Sequence, residues 1–428
     1  PRNVCRLLHC YDAKGGFVQG TGARRLVVLG TGFGAFNLVT RLRRGYDITV
    51  ISPRNHFLFT PLLPSTTVGT IEFRSIIEPI RHARKNLRFY WATAVTVDAG
   101  RKVVHCLSRA DERPFEVEFD ILVIAVGAVN NTYNIPGVRE HALFLRELND
   151  ARELRQRIIR CFEQAAIPTV TEDERKRLLH FVVCGGGPTG VEFAAELNDF
   201  LNEDLSHTYA GLLPDARITL VEASQEILRG FDRKLREYAT NLFRRERIQL
   251  LTASPVISVS DGTISLSDGS TLPYGLLLWS AGNGATEFIR ATSLPKDSRS
   301  FLIVDRFFRV QGQSDIYALG DCAAIEGFPL PATAQVAQQQ GRYLARELNA
   351  IASGRSVQQF EYRSLGMLAY VGNRRALADL EAYKGKGWAT WLFWRSAYIT
   401  RIMSLKNKVL VLFDWFKALV FGRDVSQF

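Results

Sequence analysis

Apolar positions along the chain gather into short strand-like runs, each followed by a glycine turn and a stretch of helical period. The first is Arg25-Leu26-Val27-Val28-Leu29, which runs into Gly30-Thr31-Gly32-Phe33-Gly34-Ala35. An amphipathic stretch from Phe36 to Leu42 follows, then a second apolar run from Asp47 to Ser52. The same order recurs at Phe181-Val182-Val183-Cys184, with Gly185-Gly186-Gly187-Pro188-Thr189-Gly190 and a helical stretch from Val191 to Phe200 behind it. Two continuous apolar runs, Ile121 to Ala125 and Leu276 to Ala281, close on Gly127 and Gly282 and read as fully buried parallel strands. This alternation predicts an α/β fold with two Rossmann-like dinucleotide-binding domains.

The chemistry of each turn follows from its glycines. Gly30 permits the tight turn, Gly32 lets backbone approach a diphosphate, and Ala35 lets helix and strand pack closely. The diphosphate then sits on free N–H groups at the positive end of the helix. The second strand of the first unit ends Ser52-Pro53-Arg54 where a ribose-binding acid is usual. That leaves FAD possible, with Ser52 and backbone groups in place of the carboxylate and Arg54 near the adenosine half. The following Phe59-Thr60-Pro61-Leu62-Leu63-Pro64 carries no cysteine, so it cannot relay electrons as the pairs of disulfide reductases do; a rigid apolar segment suits packing against a flat ring. Leu87 to Thr96, Lys102 to Leu107 and Phe115 to Phe119 read as strands of an inserted meander.

The companion strand of the second unit, Ala216 to Val221, ends in Glu222. A carboxylate there accepts hydrogen bonds from both ribose hydroxyls and repels a 2′-phosphate, which favours NADH over NADPH. Glu192 and Glu196 stand four apart, on one face of the helix opened by Gly190. Between the units, Glu147 to Gln164 is helical and Thr171 to Glu174 reads as a solvated loop; Asp268-Gly269 signals a hairpin. Beyond the second domain, Phe301 to Val310 reads as a strand. Asp315 to Leu319 is another, ending in Gly320-Asp321, whose carboxylate suits ribityl hydroxyls. A helix from Pro331 to Ala350 aims its N-terminus where it would stabilise negative charge on a reduced flavin.

Composition changes the picture in three places. The formal charge of +11 is scattered, without the basic runs and interleaved aromatics that nucleic acid requires, so an anionic membrane surface, or simply a basic organelle, accounts for it better. The six cysteines include no C-x-x-C and the seven histidines no ligand spacing, so no metal site or disulfide framework is expected. No apolar run approaches the ~20 residues of a spanning helix. From Lys384 on, however, eight Lys/Arg face only Asp414 and Asp424. Trp388, Trp391, Leu392, Tyr398, Ile399 and Ile402 form one apolar stripe there, and Val409, Leu412, Phe413, Phe416, Leu419 and Val420 another. Such stripes suit helices lying in a bilayer interface, or a dimer or core-packing helix pair, and the readings are compatible. Residues 1–24 read as a basic arm.

Taken together, Gly30-Thr-Gly-Phe-Gly, Ser52-Pro-Arg-Asn-His-Phe-Leu-Phe-Thr-Pro-Leu-Leu-Pro-Ser, Gly185-Gly-Gly-Pro-Thr-Gly-Val-Glu-Phe-Ala-Ala-Glu-Leu, Ala334-Gln-Val-Ala-Gln-Gln, Phe393-Trp-Arg-Ser-Ala-Tyr and Phe421-Gly-Arg-Asp resemble the type II, or alternative, NADH:quinone oxidoreductases, most of all the mitochondrial ones. The resemblance implies non-covalent FAD held by Gly30, Gly32, Phe33, Gly34, Ala35, Ser52, Pro53, Arg54, Thr60, Pro61, Leu62, Ala125, Gly127, Gly320, Asp321, Ala334 and Gln335. It implies NADH as substrate on Gly185, Gly187, Pro188, Thr189, Gly190, Glu192, Glu222, Ala281 and Gly282. Gln335 and Gln339 would line a ubiquinone tunnel, Gln338 replaces a histidine that many relatives carry, and Glu196 would serve the reacting face. The C-terminal helices would anchor a homodimer peripherally on the mitochondrial inner membrane, without proton pumping and without the calcium loop of some relatives. The expected division is an FAD domain of 22–135 and 286–355, an NADH domain of 136–285 and an anchoring region of 356–428. The alternatives are sulfide:quinone oxidoreductase chemistry, with Cys161 and Cys322 as the redox pair, or a slow flavoprotein like the apoptosis-inducing factors.

Overall fold

The computed structural model describes residues 23–43 and 45–426, with a short pairing of Cys10–Tyr11 and Phe17–Val18 before them. The basic arm read in residues 1–24 lies almost wholly outside the described residues. Two compact units emerge, and each draws on separated stretches of chain.

The first unit gathers the described residues up to Phe57 with Pro79–Gly127 and Ala285–Tyr362. Its seven-stranded sheet runs, in spatial order, Ile316–Ala318, Ile121–Ile124, Arg24–Leu29, Tyr46–Ser52, Arg88–Asp98, Val103–Ser108 and Pro114–Glu118. The first five pair in parallel and the last two antiparallel, so the predicted meander extends one edge of a doubly wound sheet. The central strands bury every inward residue, as an α/β sheet covered on both faces requires. Helix Phe33–Val39 crosses helix Ala334–Ile351 at glycine: a Cβ on Gly341 would stand 2.2 Å from the Gly34 carbonyl oxygen. Only backbone can pass there.

The second unit comprises Leu58–Glu78, Ala128–Gly284 and the residues from Arg363 on. Four parallel strands, Gln249–Leu251, Arg217–Val221, His180–Cys184 and Leu276–Trp279, form its sheet, and a small antiparallel sheet turns at Gly269 with φ of +86°. Strands Met367–Gly372, Arg375–Asp379 and Lys384–Gly387 then form a third sheet against helix Pro188–Phe200. Helices Trp388–Arg401 and Leu405–Phe421 complete it.

Four expectations change. Residues 58–78, assigned above to the first domain, group with the second unit, because helix Leu63–Thr67 packs on helix Pro188–Phe200. The C-terminal stretch groups there too, held by its sheet. Thr171 to Glu174 is no loop: Thr171 caps helix Glu172–Leu178 by accepting the Glu174 N–H, with acids in the first turn and bases in the last. Phe301 to Val310 keeps only Leu302–Val304 as strand, because the Asp305 carboxylate accepts the N–H groups of Phe307 and Arg309 and bends the chain.

The two C-terminal stripes differ as well. On Leu405–Phe421, all six residues of the predicted stripe are more than half exposed, while Asn407, Val411, Asp414 and Trp415 face inward. On Trp388–Arg401 the predicted stripe splits: Trp391, Tyr398 and Ile402 are buried, and Trp388 and Leu392 are exposed. The inward half is bound by aromatic contacts, with Trp394 4.7 Å from Tyr398 and 5.6 Å from Tyr370 between ring centroids.

Candidate functional site

The two glycine turns obey one physical division of labour. Gly30 has φ of +103°, and a Cβ there would lie 2.3 Å from the Ala125 carbonyl oxygen. Gly185 has φ of +115°, and a Cβ on Gly190 would lie 2.0 Å from the Gly185 carbonyl oxygen. These glycines are demanded by the protein itself. Gly32 and Gly187 differ: both have φ of −74°, which any residue adopts, and a Cβ on either would touch nothing within 4 Å. A glycine kept where neither conformation nor packing asks for one fits a ligand that approaches the backbone. Gly32 and Gly187 are also the N-caps of their helices and bring no side chain to the first turn, whereas Thr171, Asp232, Thr286, Thr333 and Ser404 do cap theirs. Each turn therefore presents uncapped N–H groups and the positive end of a helix to an anion.

In the first unit, the strand end that lacks an acid is knitted by hydroxyls. Ser52 Oγ is 3.3 Å from Thr31 Oγ1 and accepts the Arg54 N–H at 3.2 Å, and Arg54 Nε donates to Thr31 Oγ1 at 3.4 Å. Pro53 is exposed beside them. Phe33 and Ala35 are buried, Phe33 packing edge-on to Phe57 with 4.9 Å between centroids. Ala125 and Gly127 close the central strand and Gly320-Asp321 the neighbouring one. Gln340 accepts the Gly320 N–H at 2.7 Å, fixing that turn from the helix that carries Ala334, Gln335 and Gln339. Gln335 and Gln339 are half-buried, one helical turn apart.

In the second unit, Glu222 accepts the Gly186 N–H at 2.6 Å through one oxygen and the Ser224 N–H at 2.8 Å through the other. Each carboxylate oxygen keeps a lone pair for a further donor. Pro188 and Thr189 are exposed at the open end of the helix, and Ala281 and Gly282 close the neighbouring strand. Thr60 and Pro61 are half-buried here, whereas Leu62 is fully buried in the unit's own core and offers no side-chain surface to a ligand.

The helix behind Gly190 carries a buried acidic face: Glu192, Glu196 and Asp199, all less than 9 % exposed. Glu192 accepts the Tyr370 backbone N–H at 3.0 Å; burial nevertheless pushes its carboxyl up to about 8, with the Glu196 charge adding to it. Asp199 accepts the Tyr370 hydroxyl at 2.5 Å and the Asn373 N–H at 2.9 Å, yet burial pushes it up to about 7. Glu196 accepts the Ser65 hydroxyl at 2.6 Å and the Thr70 hydroxyl at 3.1 Å. The proline-rich segment is thus the hydrogen-bonding floor of this acid. Ser65, Thr70, Asp199, Gln340 and Tyr370 escaped the sequence reading; only the i, i+4, i+7 spacing of the acids could have drawn Asp199 in.

The two candidate redox cysteines are inert. Cys161 is buried with its Sγ 3.5 Å from the Gly275 carbonyl, and Cys322 is buried against the carbonyls of Ile124 and Leu319. Burial raises them to about 11 and about 12, so neither presents a thiolate. No cluster of His, Cys, Asp or Glu that could hold a metal occurs among the described residues.

Residues 24–341 match the family model described as pyridine nucleotide-disulphide oxidoreductase, and residues 365–424 match the NDH2 C-terminal domain. A "Probable NADH dehydrogenase" of Dictyostelium discoideum is 45% identical, over 94% of this chain and 91% of its own length. The external alternative NADH-ubiquinone oxidoreductase, mitochondrial, of Yarrowia lipolytica is 40% identical, over 94% of this chain and 81% of its own. Among solved structures, NDH2 from Plasmodium falciparum in complex with NADH superposes with a TM-score of 0.91 at 28% identity, covering 94% of this chain and 99% of that one.

Two predictions follow from these features. Gly32→Ala and Gly187→Ala should leave the melting temperature of the dinucleotide-free protein within about a degree while weakening dinucleotide binding about tenfold. Gly190→Ala should instead fail to yield folded protein, so calorimetry and binding titrations separate the two kinds of glycine. The second concerns pH. A carboxyl raised above its unfolded value binds its proton more tightly in the native state, so its burial costs stability increasingly as pH climbs from about 4.5 to about 8. Glu192→Gln keeps the acceptor for Tyr370 without that cost; its melting temperature relative to the parent should rise more at pH 8 than at pH 5.

Proposed function

The chain belongs to the alternative NADH-ubiquinone oxidoreductases of the pyridine nucleotide-disulphide oxidoreductase family, and we propose on that footing that it oxidises NADH and reduces ubiquinone, with FAD between them and no proton pumping. The observation that carries the reading is the pair of uncapped helix N-termini, each preceded by a glycine whose missing Cβ leaves room for a close-lying dinucleotide. FAD, when bound, supplies the two-electron chemistry between nicotinamide and quinone.

The residues of this chain supply binding, charge and protons. Gly30, Gly32, Phe33, Gly34 and Ala35 cradle the FAD diphosphate, with Ser52, Pro53 and Arg54 at its adenosine end. Thr60 and Pro61, Ala125, Gly127, Gly320, Asp321, Ala334 and Gln335 take the remainder. The Thr333 cap leaves further first-turn N–H groups at the helix that Ala334 opens, and these stabilise negative charge near them. Gly185, Gly187, Pro188, Thr189 and Gly190 hold the NADH diphosphate; Glu192, Ala281 and Gly282 line the rest. Glu222 offers both oxygens to the ribose hydroxyls and repels a 2′-phosphate. Gln335 and Gln339 hold a quinone carbonyl by neutral donors, and Glu196 delivers a proton to the reduced quinone. Sulfide:quinone chemistry needs exchange-competent thiols, and the two candidates are buried without thiolate character.

The helix Leu405–Phe421 seats the enzyme peripherally on the mitochondrial inner membrane. Its outward Val409, Leu412, Phe413, Phe416, Leu419 and Val420 enter the interface, and a homodimer shares the same region. No helix among the described residues is long and apolar enough to cross a membrane.

The purified chain should be yellow, lose its flavin absorbance on addition of NADH and regain it with a short-chain quinone; a colourless protein, or one that NADH bleaches and quinone leaves bleached, contradicts the assignment. Replacing Leu412 and Phe416 together by Ser should abolish sedimentation with anionic liposomes while the flavin spectrum stays unchanged.

A further inference from the structure

The C-terminal Phe421-Gly422-Arg423-Asp424 turns back from the apolar helix and reaches the acidic helix that carries Glu196. Arg423 is 9 % exposed in its side chain. Its backbone N–H donates to Asp204 Oδ1 at 2.7 Å, and its Nη1 donates to Asp204 Oδ2 at 2.7 Å with Glu203 3.2 Å away. The third direction of the guanidinium is the informative one. Arg423 Nε donates to Thr70 Oγ1 at 3.0 Å, and Thr70 Oγ1 lies 3.1 Å from Glu196 Oε2.

A hydroxyl has one hydrogen and an arginine accepts nothing. With Nε–H of Arg423 pointing at the oxygen, the Thr70 hydrogen has to turn away from it, and Glu196 is the acceptor it meets. Without Arg423 the rotor is free to choose another acceptor. We propose that Arg423 is a positioning residue for quinone reduction: by polarising and orienting Thr70 it fixes Glu196, and so makes that half-reaction depend on the seating of the C-terminal tail. The proposal rests on Glu196 being the proton donor to quinone.

The surroundings support a device built for one carboxylate. Ser65 holds the other Glu196 oxygen, so both oxygens take a hydroxyl. The other charged and titratable groups around Glu196 are Glu192 and Asp199 on its own helix, Tyr370 on the adjoining sheet, and Arg395 on the first C-terminal helix. Arg395 lies 4.1 Å from the Trp391 ring centroid and 4.5 Å from that of Trp415 and feels the Glu196 charge, but reaches it through no hydrogen-bonded hydroxyl. Among the described residues, Arg423 is the cation linked to Glu196 through a hydrogen-bonded hydroxyl. The tail is also pinned from the other side: Lys417 pairs with Glu72, and Asp414 accepts the Ser75 hydroxyl at 2.6 Å. The helix that leads into Arg423 and the segment that holds Thr70 are therefore fastened to each other.

Stopped-flow absorbance of the full-length holoenzyme separates the steps. Arg423→Lys and Thr70→Val should each leave flavin reduction by NADH at the parent rate, slow reoxidation by a short-chain quinone about tenfold and displace its pH profile in the same direction. Thr70→Ser should restore the parent profile. Thr70→Val keeps the Arg423–Asp204 pair, so it stays informative even if Arg423→Lys unfolds. A parent-like reoxidation profile in Thr70→Val overturns the proposal, as does an Arg423→Lys defect that Thr70→Val does not share. Glu196→Gln is the control on the premise: parent-like reoxidation there removes Glu196 as donor, and the proposal falls with it for a reason distinct from a broken Arg423–Thr70 link.

Discussion

The helices behind Gly32 and Gly187 begin with their first-turn N–H groups uncovered, and much of the fold around them serves to keep them so. An exposed helix N-terminus ordinarily recruits a serine, threonine or aspartate, as five other helices here do. At Gly32 and Gly187 that option is absent, and the strands beside each turn come within carbonyl contact of the helix start. The close approach leaves no room for a Cβ at Gly30 or Gly190, and the helix end is thereby aimed at one place above the sheet. Strand order, glycine spacing and burial of the parallel strands all follow from that single requirement.

The acidic helix shows how a fold accommodates groups it would otherwise exclude. Three carboxyls are buried on one helix, and each is met by hydrogen-bond donors from elsewhere in the chain. The donors come from distant stretches: Ser65 and Thr70 from the proline-rich segment, Tyr370 and Asn373 from the third sheet. Such an arrangement is costly to maintain for packing alone, which is why it draws attention to chemistry.

Local pattern carried the fold, since strand, turn and helix are written in consecutive residues. Both nucleotide units, the meander and the Asp268-Gly269 hairpin could be read that way. What pattern could not carry was partnership across long separations. Thr171 looked like part of a solvated charge run because a cap is defined by which N–H it accepts, and only the folded helix states that. The residues of Trp388–Arg401 form one stripe in sequence, yet aromatic residues serve a core and a lipid surface equally well, and contact with Trp394 and Tyr370 turns one half to the core. Arg423 was visible as part of a terminal motif, but nothing near it in sequence names Thr70 or Asp204 as its neighbours.

The discontinuity of the first unit orders events during synthesis. Its central sheet cannot gain the strand Ile316–Ala318, nor its first helix the cover of Ala334–Ile351, until more than three hundred residues have left the ribosome. The four parallel strands of the second unit lie within one continuous stretch and complete earlier. The glycine turn nearest the N-terminus therefore belongs to a sheet that is completed only after the parallel sheet of the second unit, although its own first strands are made before any of those.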